Sequence, residues 1–139
     1  MLVVKTKIKN SEIEGLGLFA DQFIPKGSVI WKYDPSFDIY FDPKEVEKMS
    51  EPQKDLIIHF AYLSKKSGKY VYSIDNTRFT NHSNKPNTVE DENVCSDDLE
   101  ICTIAVKDIQ IGEEITIDYR VIDAVDEGSN EEYLKTVVL

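Results

Sequence analysis

Cysteine is scarce in this 139-residue sequence: Cys95 and Cys102 are its two thiols, and no Cys-x-x-Cys pair occurs. That excludes a disulfide-stapled scaffold and leaves too few thiols for a structural zinc. The chain reads as a reduced cytoplasmic protein without a metal. Histidine is equally rare, with only His59 and His82, and neither has an acid and a nucleophile patterned around it. This pattern argues against a Ser-His-Asp hydrolase and against a catalytic metal centre. No apolar run approaches the roughly 18 residues that a membrane span needs. The opening MLVVKTKIKN has too short an apolar stretch for a signal peptide. Basic residues run out along the chain. Residues 1–87 hold 13 Lys and Arg against 11 Asp and Glu, whereas residues 88–139 hold 3 against 15, within a net charge of −10. So acidic a final third repels nucleic acid and attracts basic partners, besides keeping the surface solvated.

What is present is ordinary for one domain spanning residues 1–139, at 41% hydrophobic and 30% charged. Leu2, Val4, Thr6 and Ile8 alternate with Lys5, Lys7 and Lys9, the pattern of a half-exposed strand. Strands are also predicted for the end of EGLGLFA (14–20), for 28–33, 70–74, 99–106 and 115–119. Residues 88–98 are polar and acidic and read as an exposed hairpin loop. A helical insert is predicted over about 42–67. Asp42-Pro43 and the capping box Ser50-Glu51-Pro52-Gln53 begin its helices. Leu56, Ile57, Phe60 and Leu63 share a helical face, and Ser67-Gly68 ends it. One internal echo stands out. Ala20, Ile24, Gly27 and Ile30 are spaced 4, 3, 3, and so are Ala105, Ile109, Gly112 and Ile115. Two copies of one β-turn-β unit point to a mostly β fold with a short helical insert. The tail, about 120–139, is acidic until Val137-Val138-Leu139, an ending suited to docking on the body or on a second copy. A monomer or a homodimer fits.

Three stretches could carry chemistry. Gly15-Leu16-Gly17 follows a strand but opens no long helix, so it is not a dinucleotide fingerprint. It is a bare turn, or backbone brought close to a ligand. RFTNHSNKPN, residues 78–87, is dense in hydrogen-bond groups and reads equally as a satisfied polar turn or as a ligand cradle. GEEITIDY, residues 112–119, is a strand with Ile115 and Ile117 on one face, Thr116 and Asp118 on the other, and Tyr119 at its end.

Taken in order, these three motifs resemble the SET-domain protein lysine methyltransferases, most of all the small minimal versions of bacteria and some large DNA viruses. The resemblance covers roughly residues 3–120 and implies a β-clip fold of several small sheets with a pseudoknot-like C-terminal threading. It implies S-adenosylmethionine as methyl donor, S-adenosylhomocysteine as product, and a lysine in a basic protein as acceptor. Cofactor contact falls by resemblance on Gly15, Leu16, Gly17, Leu18, Arg78, Phe79, Asn81, His82 and Tyr119, with Tyr133 stacking on adenine from the tail. Tyr119 would stand beside the methyl as the catalytic phenol, and Tyr62 would line the lysine channel. Asn84 stands where many relatives have a zinc-binding cysteine, and no cysteine follows in the tail, so no metal is expected. The alternative is a non-catalytic acidic module that binds basic peptides. The expected location is cytoplasmic, or a host nucleus for a viral or secreted effector.

Overall fold

The alternation of the first residues survives folding. In the computed structural model, which describes residues 1–122, Leu2, Val4, Thr6 and Ile8 are half-buried while Val3, Lys5, Lys7 and Lys9 are exposed. Thr6–Asn10 forms β1 and pairs antiparallel with β2, Leu16–Ala20. Then follow β3 (Val29–Trp31), β4 (Asp38–Phe41), α1 (Pro43–Glu47), α2 (Glu51–Phe60), β5 (Tyr62–Leu63) and β6 (Tyr70–Ser73). After a 3-10 turn at Asn76–Phe79 come β7 (Asn81–His82), β8 (Thr88–Asp91), β9 (Cys102–Ala105), β10 (Thr116–Ile117) and α3 (Tyr119–Ile122). They make four small sheets, ordered β1-β2, β7-β10, β3-β9-β8 and β4-β6-β5.

The 4, 3, 3 echo is the core of the molecule. Ala20, Ile24 and Ile30 from the first copy pack with Ala105, Ile109 and Ile115 from the second, around Leu18. Each isoleucine so buried contributes roughly 2 kcal/mol of transfer free energy. The copies also bond to each other reciprocally. Ile24 N–H donates to Ile109 O at 2.9 Å, and Ile109 N–H returns the bond to Ile24 O at 2.8 Å. Gly27 N–H donates to Ala105 O, and Gly112 N–H donates to Ala20 O, both at 2.8 Å. Gly27 and Gly112 have φ of 86° and 89°, a left-handed conformation that a Cβ would strain, which is why both copies need glycine there. The two units form a pseudo-twofold clip, and the helical insert stands between them in sequence.

Three sequence expectations need correction. The helical insert ends at Phe60, because Ala61 is extended and Tyr62 and Leu63 pair with Val71 and Tyr70. Gly68, at φ 71°, turns this β5–β6 hairpin rather than stopping a helix. Leu63 therefore leaves the helix, and Leu56 is exposed while Ile57 is buried. Residues 88–91 are a strand, not part of an exposed loop: they pair with β9, and the Thr88 hydroxyl is buried on Thr116 O at 2.7 Å. Thr116, on the face opposite Ile115 and Ile117, is buried as they are. The strand ends at Ile117, and Tyr119 opens α3 instead.

Candidate active site

The polar motif at 78–87 works as a clasp around β10. Strand β10 runs parallel to β7, with Thr116 opposite Asn81 and Ile117 opposite His82, and Ser83 N–H donates to Ile117 O at 3.0 Å. Successive residues of a strand turn their main-chain groups to opposite edges. The other edge of β10 is held by the far end of the same motif. Thr116 N–H donates to Asn87 Oδ1 at 2.9 Å, and Asn87 Nδ2 donates to Glu114 O at 2.8 Å. Residues 81–88 thus grip β10 from both edges, so the chain passes through an arch made by its own earlier segment. This is one of the uncommon exceptions to unthreaded topology.

Asn81 reaches from this arch to the glycine loop. Its Nδ2 lies 3.0 Å from Glu14 O, 3.1 Å from Leu16 O and 3.0 Å from Glu114 Oε2. Ser11 Oγ donates to the same carboxylate at 2.7 Å. A Cβ on Gly17 would stand 2.5 Å from Glu114 Oε2 and 3.0 Å from Ser11 Cβ. The carboxylate of Glu114 fills the space above Gly17 and would have to shift to admit a Cβ there. A Cβ on Gly15, at φ 42°, would meet nothing within 4 Å, so the loop is open on that side.

Tyr119 is fixed at both ends. Its hydroxyl donates to Thr80 O, the carbonyl just ahead of Asn81, and its N–H donates to His82 Nδ1 at 3.1 Å. His82 therefore carries its ring proton on Nε2, 2.9 Å from Asn84 Oδ1. Asp118 approaches Nδ1 at 3.7 Å. Burial pushes the Asp118 carboxyl up, but the hydrogen bonds and charge of Arg120 outweigh it and leave it below the usual range. Glycine loop, amide clasp and phenol meet in one place, contributed by three segments remote in sequence.

A profile of the SET domain family matches residues 15–120. This chain belongs to the SET domain family. The Schizosaccharomyces pombe protein named "Histone-lysine N-methyltransferase, H3 lysine-36 specific" is 30% identical over 120 residues, covering 84% of this chain and 15% of that protein. The Drosophila melanogaster "Histone-lysine N-methyltransferase Set2" is 29% identical over 118 residues, covering 82% of this chain and 5% of its own length. Among solved structures, the fold is shared with a Plasmodium falciparum protein assigned as a histone methyltransferase. That match has a TM-score of 0.59 at 20% identity and covers 84% of this chain and 93% of the other. Polycomb Repressive Complex 2 of Chaetomium thermophilum matches with a TM-score of 0.60 at 22% identity, over 89% of this chain and 16% of the other.

The residues that the family resemblance singled out fall into separate groups. Gly15, Leu16, Gly17, Asn81, His82 and Tyr119 surround the arch. Leu18 is in the core at 1% exposure, so only its main chain is left to face a ligand. Arg78 and Phe79 pack their side chains against Phe60 of α2. The Arg78 guanidinium donates to the Tyr72 hydroxyl at 3.0 Å and stacks over Phe60 and Phe79. Tyr133 lies outside the described residues. Ser11, Thr80, Asn87 and Glu114 were missed. Thr80 and Asn87 lie in the polar motif 78–87 and Glu114 in the GEE of 112–119, but none of them had been singled out individually.

Tyr62 lines a cleft of about 280 Å³ with Glu90, Glu92, Ile101, Val121 and Ile122 in its walls. Its ring packs edge-on to Trp31 at 6.5 Å. Burial, then the charges of Glu100 and Glu90, push its hydroxyl well above the ordinary tyrosine range. Burial, then Glu100, push the Glu90 carboxyl up to about 8 against the pull of Lys65. Glu100 itself is wholly buried and accepts bonds from the Ser64 and Ser67 hydroxyls, each at 3.2 Å. Among the described residues, no three His, Cys, Asp or Glu are grouped to hold a metal, and no helix is long and apolar enough to cross a membrane.

Proposed function

We propose that this chain transfers a methyl group from S-adenosylmethionine to the side-chain amine of a lysine in a protein. The observation that carries this reading is the parallel pairing of β7 with β10, which gathers the glycine loop, Asn81 and Tyr119. The residues there suit a cationic cofactor. The loop is open beside Gly15, and the nearby polar groups, Glu14 O, Leu16 O and the Glu114 carboxylate, are all acceptors. Gly15, Leu16, Gly17, Asn81 and His82 would hold it. Bound there, a sulfonium supplies an already electrophilic methyl group.

The chain's own residues then have a limited task. A lysine of pKa about 10.4 costs roughly 4.6 kcal/mol to deprotonate at pH 7, and a dry site beside a positive charge lowers that cost without a strong base. Tyr119 commits its proton to Thr80 O, so its hydroxyl offers only lone pairs outward. Those lone pairs accept an N–H of the amine and turn the nitrogen lone pair toward the methyl. The relatives' names and the acidic final third favour a lysine-rich, histone-like segment as substrate. A zinc-free domain in the cytoplasm or another thiol-reducing compartment completes the proposal.

The test is methyl transfer from labelled S-adenosylmethionine to histones and other basic proteins. Wild type should label lysine. Tyr119→Phe should lose about 100-fold in kcat while still binding S-adenosylhomocysteine. No labelling together with intact binding of basic peptides would favour the non-catalytic module.

A further inference from the structure

The loop between β8 and β9 brings the chain's two thiols together. Asp91 and Cys102 stand opposite each other at its base, in the last pair of the β8–β9 ladder. The Asp91 carboxylate caps the first turn of the loop, accepting from Asn93 N–H at 2.8 Å and from Val94 N–H at 3.3 Å. That turn folds the peptide between Val94 and Cys95 back over β9, where the Cys102 thiol donates to Val94 O at 3.2 Å. Cys95 follows directly. Its φ of 56° is the one positive value at a non-glycine among the described residues, a conformation that persists only where the surroundings fix it. Its carbonyl accepts from Asp98 N–H at 3.0 Å. The far side of the loop is tied down as well: Lys66 Nζ donates to Asp98 O at 2.8 Å, and the Ser64 and Ser67 hydroxyls hold Glu100. The two thiols are close enough to affect each other. Burial, then Cys95, push the Cys102 thiol up to about 12. They differ in access, since Cys102 is wholly buried and Cys95 half-buried.

We propose that Cys95 and Cys102 are a reversible oxidation site, closed to an intramolecular disulfide by a low-molecular-weight disulfide such as oxidised glutathione. Cys95 reacts first because it is the accessible thiol. Its thiolate attacks one sulfur of oxidised glutathione, forming a mixed disulfide on Cys95 and releasing one glutathione thiolate. The Cys102 thiol then gives up its proton, and its sulfur attacks the Cys95 sulfur and displaces the second glutathione. The two cysteines together lose two electrons and two protons, and the oxidised glutathione that takes them up leaves as two thiols. Burial of Cys102 makes the second displacement the slower one. The product is a small ring over residues 95–102 that restrains the unfolded chain and fixes the loop carrying Glu100 and Ile101. In a reducing compartment the pair stays as thiols, so the crosslink forms when the surrounding glutathione becomes oxidised. This site is independent of the methyl-transfer reading.

Mass spectrometry of the whole folded chain tests it, after incubation with oxidised glutathione and again after dithiothreitol. Wild type should end two hydrogens lighter, carry no glutathione and show a Cys95–Cys102 crosslink in its peptides, all reversed by dithiothreitol. Cys102→Ser should keep one glutathione on Cys95, because nothing displaces it. Cys102→Ala repeats that arm in case the serine variant fails to fold. Cys95→Ser should take up no glutathione while folded, with Cys102 out of reach. Oxidised wild type should melt about 5 °C above the reduced form, a rise absent from Cys95→Ser. Wild type that retains glutathione, or that stays a dithiol while its urea-unfolded form oxidises, overturns the site. So does linkage only between two chains, or a melting temperature that falls on oxidation.

Discussion

Gly17 shows how much one side chain's absence fixes. The carboxylate of Glu114 occupies the position that a Cβ would take and is bonded there by Ser11 and Asn81. Gly17→Ala must push that carboxylate aside and weaken both bonds. It should cost about 1–3 kcal/mol, read as a lower melting temperature. In the double variant with Glu114→Ala the two losses should be less than additive, since both act on one contact. Additive losses would mean that the two residues do not share this space. At this scale, the sequence exposed some of the site but not its wiring. Asn81 and Tyr119 were legible because their motifs are dense and specific. Their partners Glu14 O, Leu16 O and Thr80 O are main-chain acceptors, which any residue type supplies, so no residue pattern marks them.

At the scale of elements, β10 depends on Asn87 more than on its own two-residue ladder. The Asn87 amide stands in for a neighbouring strand, accepting from Thr116 N–H and donating to Glu114 O. Asn87→Ala leaves both buried main-chain groups without partners and should cost about 2–4 kcal/mol. Hydrogen exchange should show Thr116 losing protection, while the β1–β2 hairpin keeps its own. Elements with local causes were readable in advance. The lysine alternation gave β1, and the capping groups Asp42 and Ser50 gave the starts of α1 and α2. The 4, 3, 3 echo gave the two halves of the core. Elements that exist only through distant pairing were not readable. β5 and β7 are two residues long and leave no periodicity. β8 is polar because its inward groups bond rather than pack, which made it look like a loop.

Over the whole molecule, the acidic residues after position 88 and the clip around β10 serve the same end. Under the proposed function, the first would draw a basic polypeptide toward the domain, and the second would hold the groups that act on it. The chain spans 15% of the length of the fission-yeast relative, so its activity has to be measured on this chain itself. The central claim is that the threaded arch and the glycine loop together form a cofactor site. Calorimetric titration with S-adenosylhomocysteine tests it most directly, using wild type and Asn81→Ala, with folding checked by melting temperature. The account predicts saturable binding by wild type and at least about tenfold weaker binding by the variant. No heat of binding from folded wild type, or equal affinity in the two proteins, would contradict it.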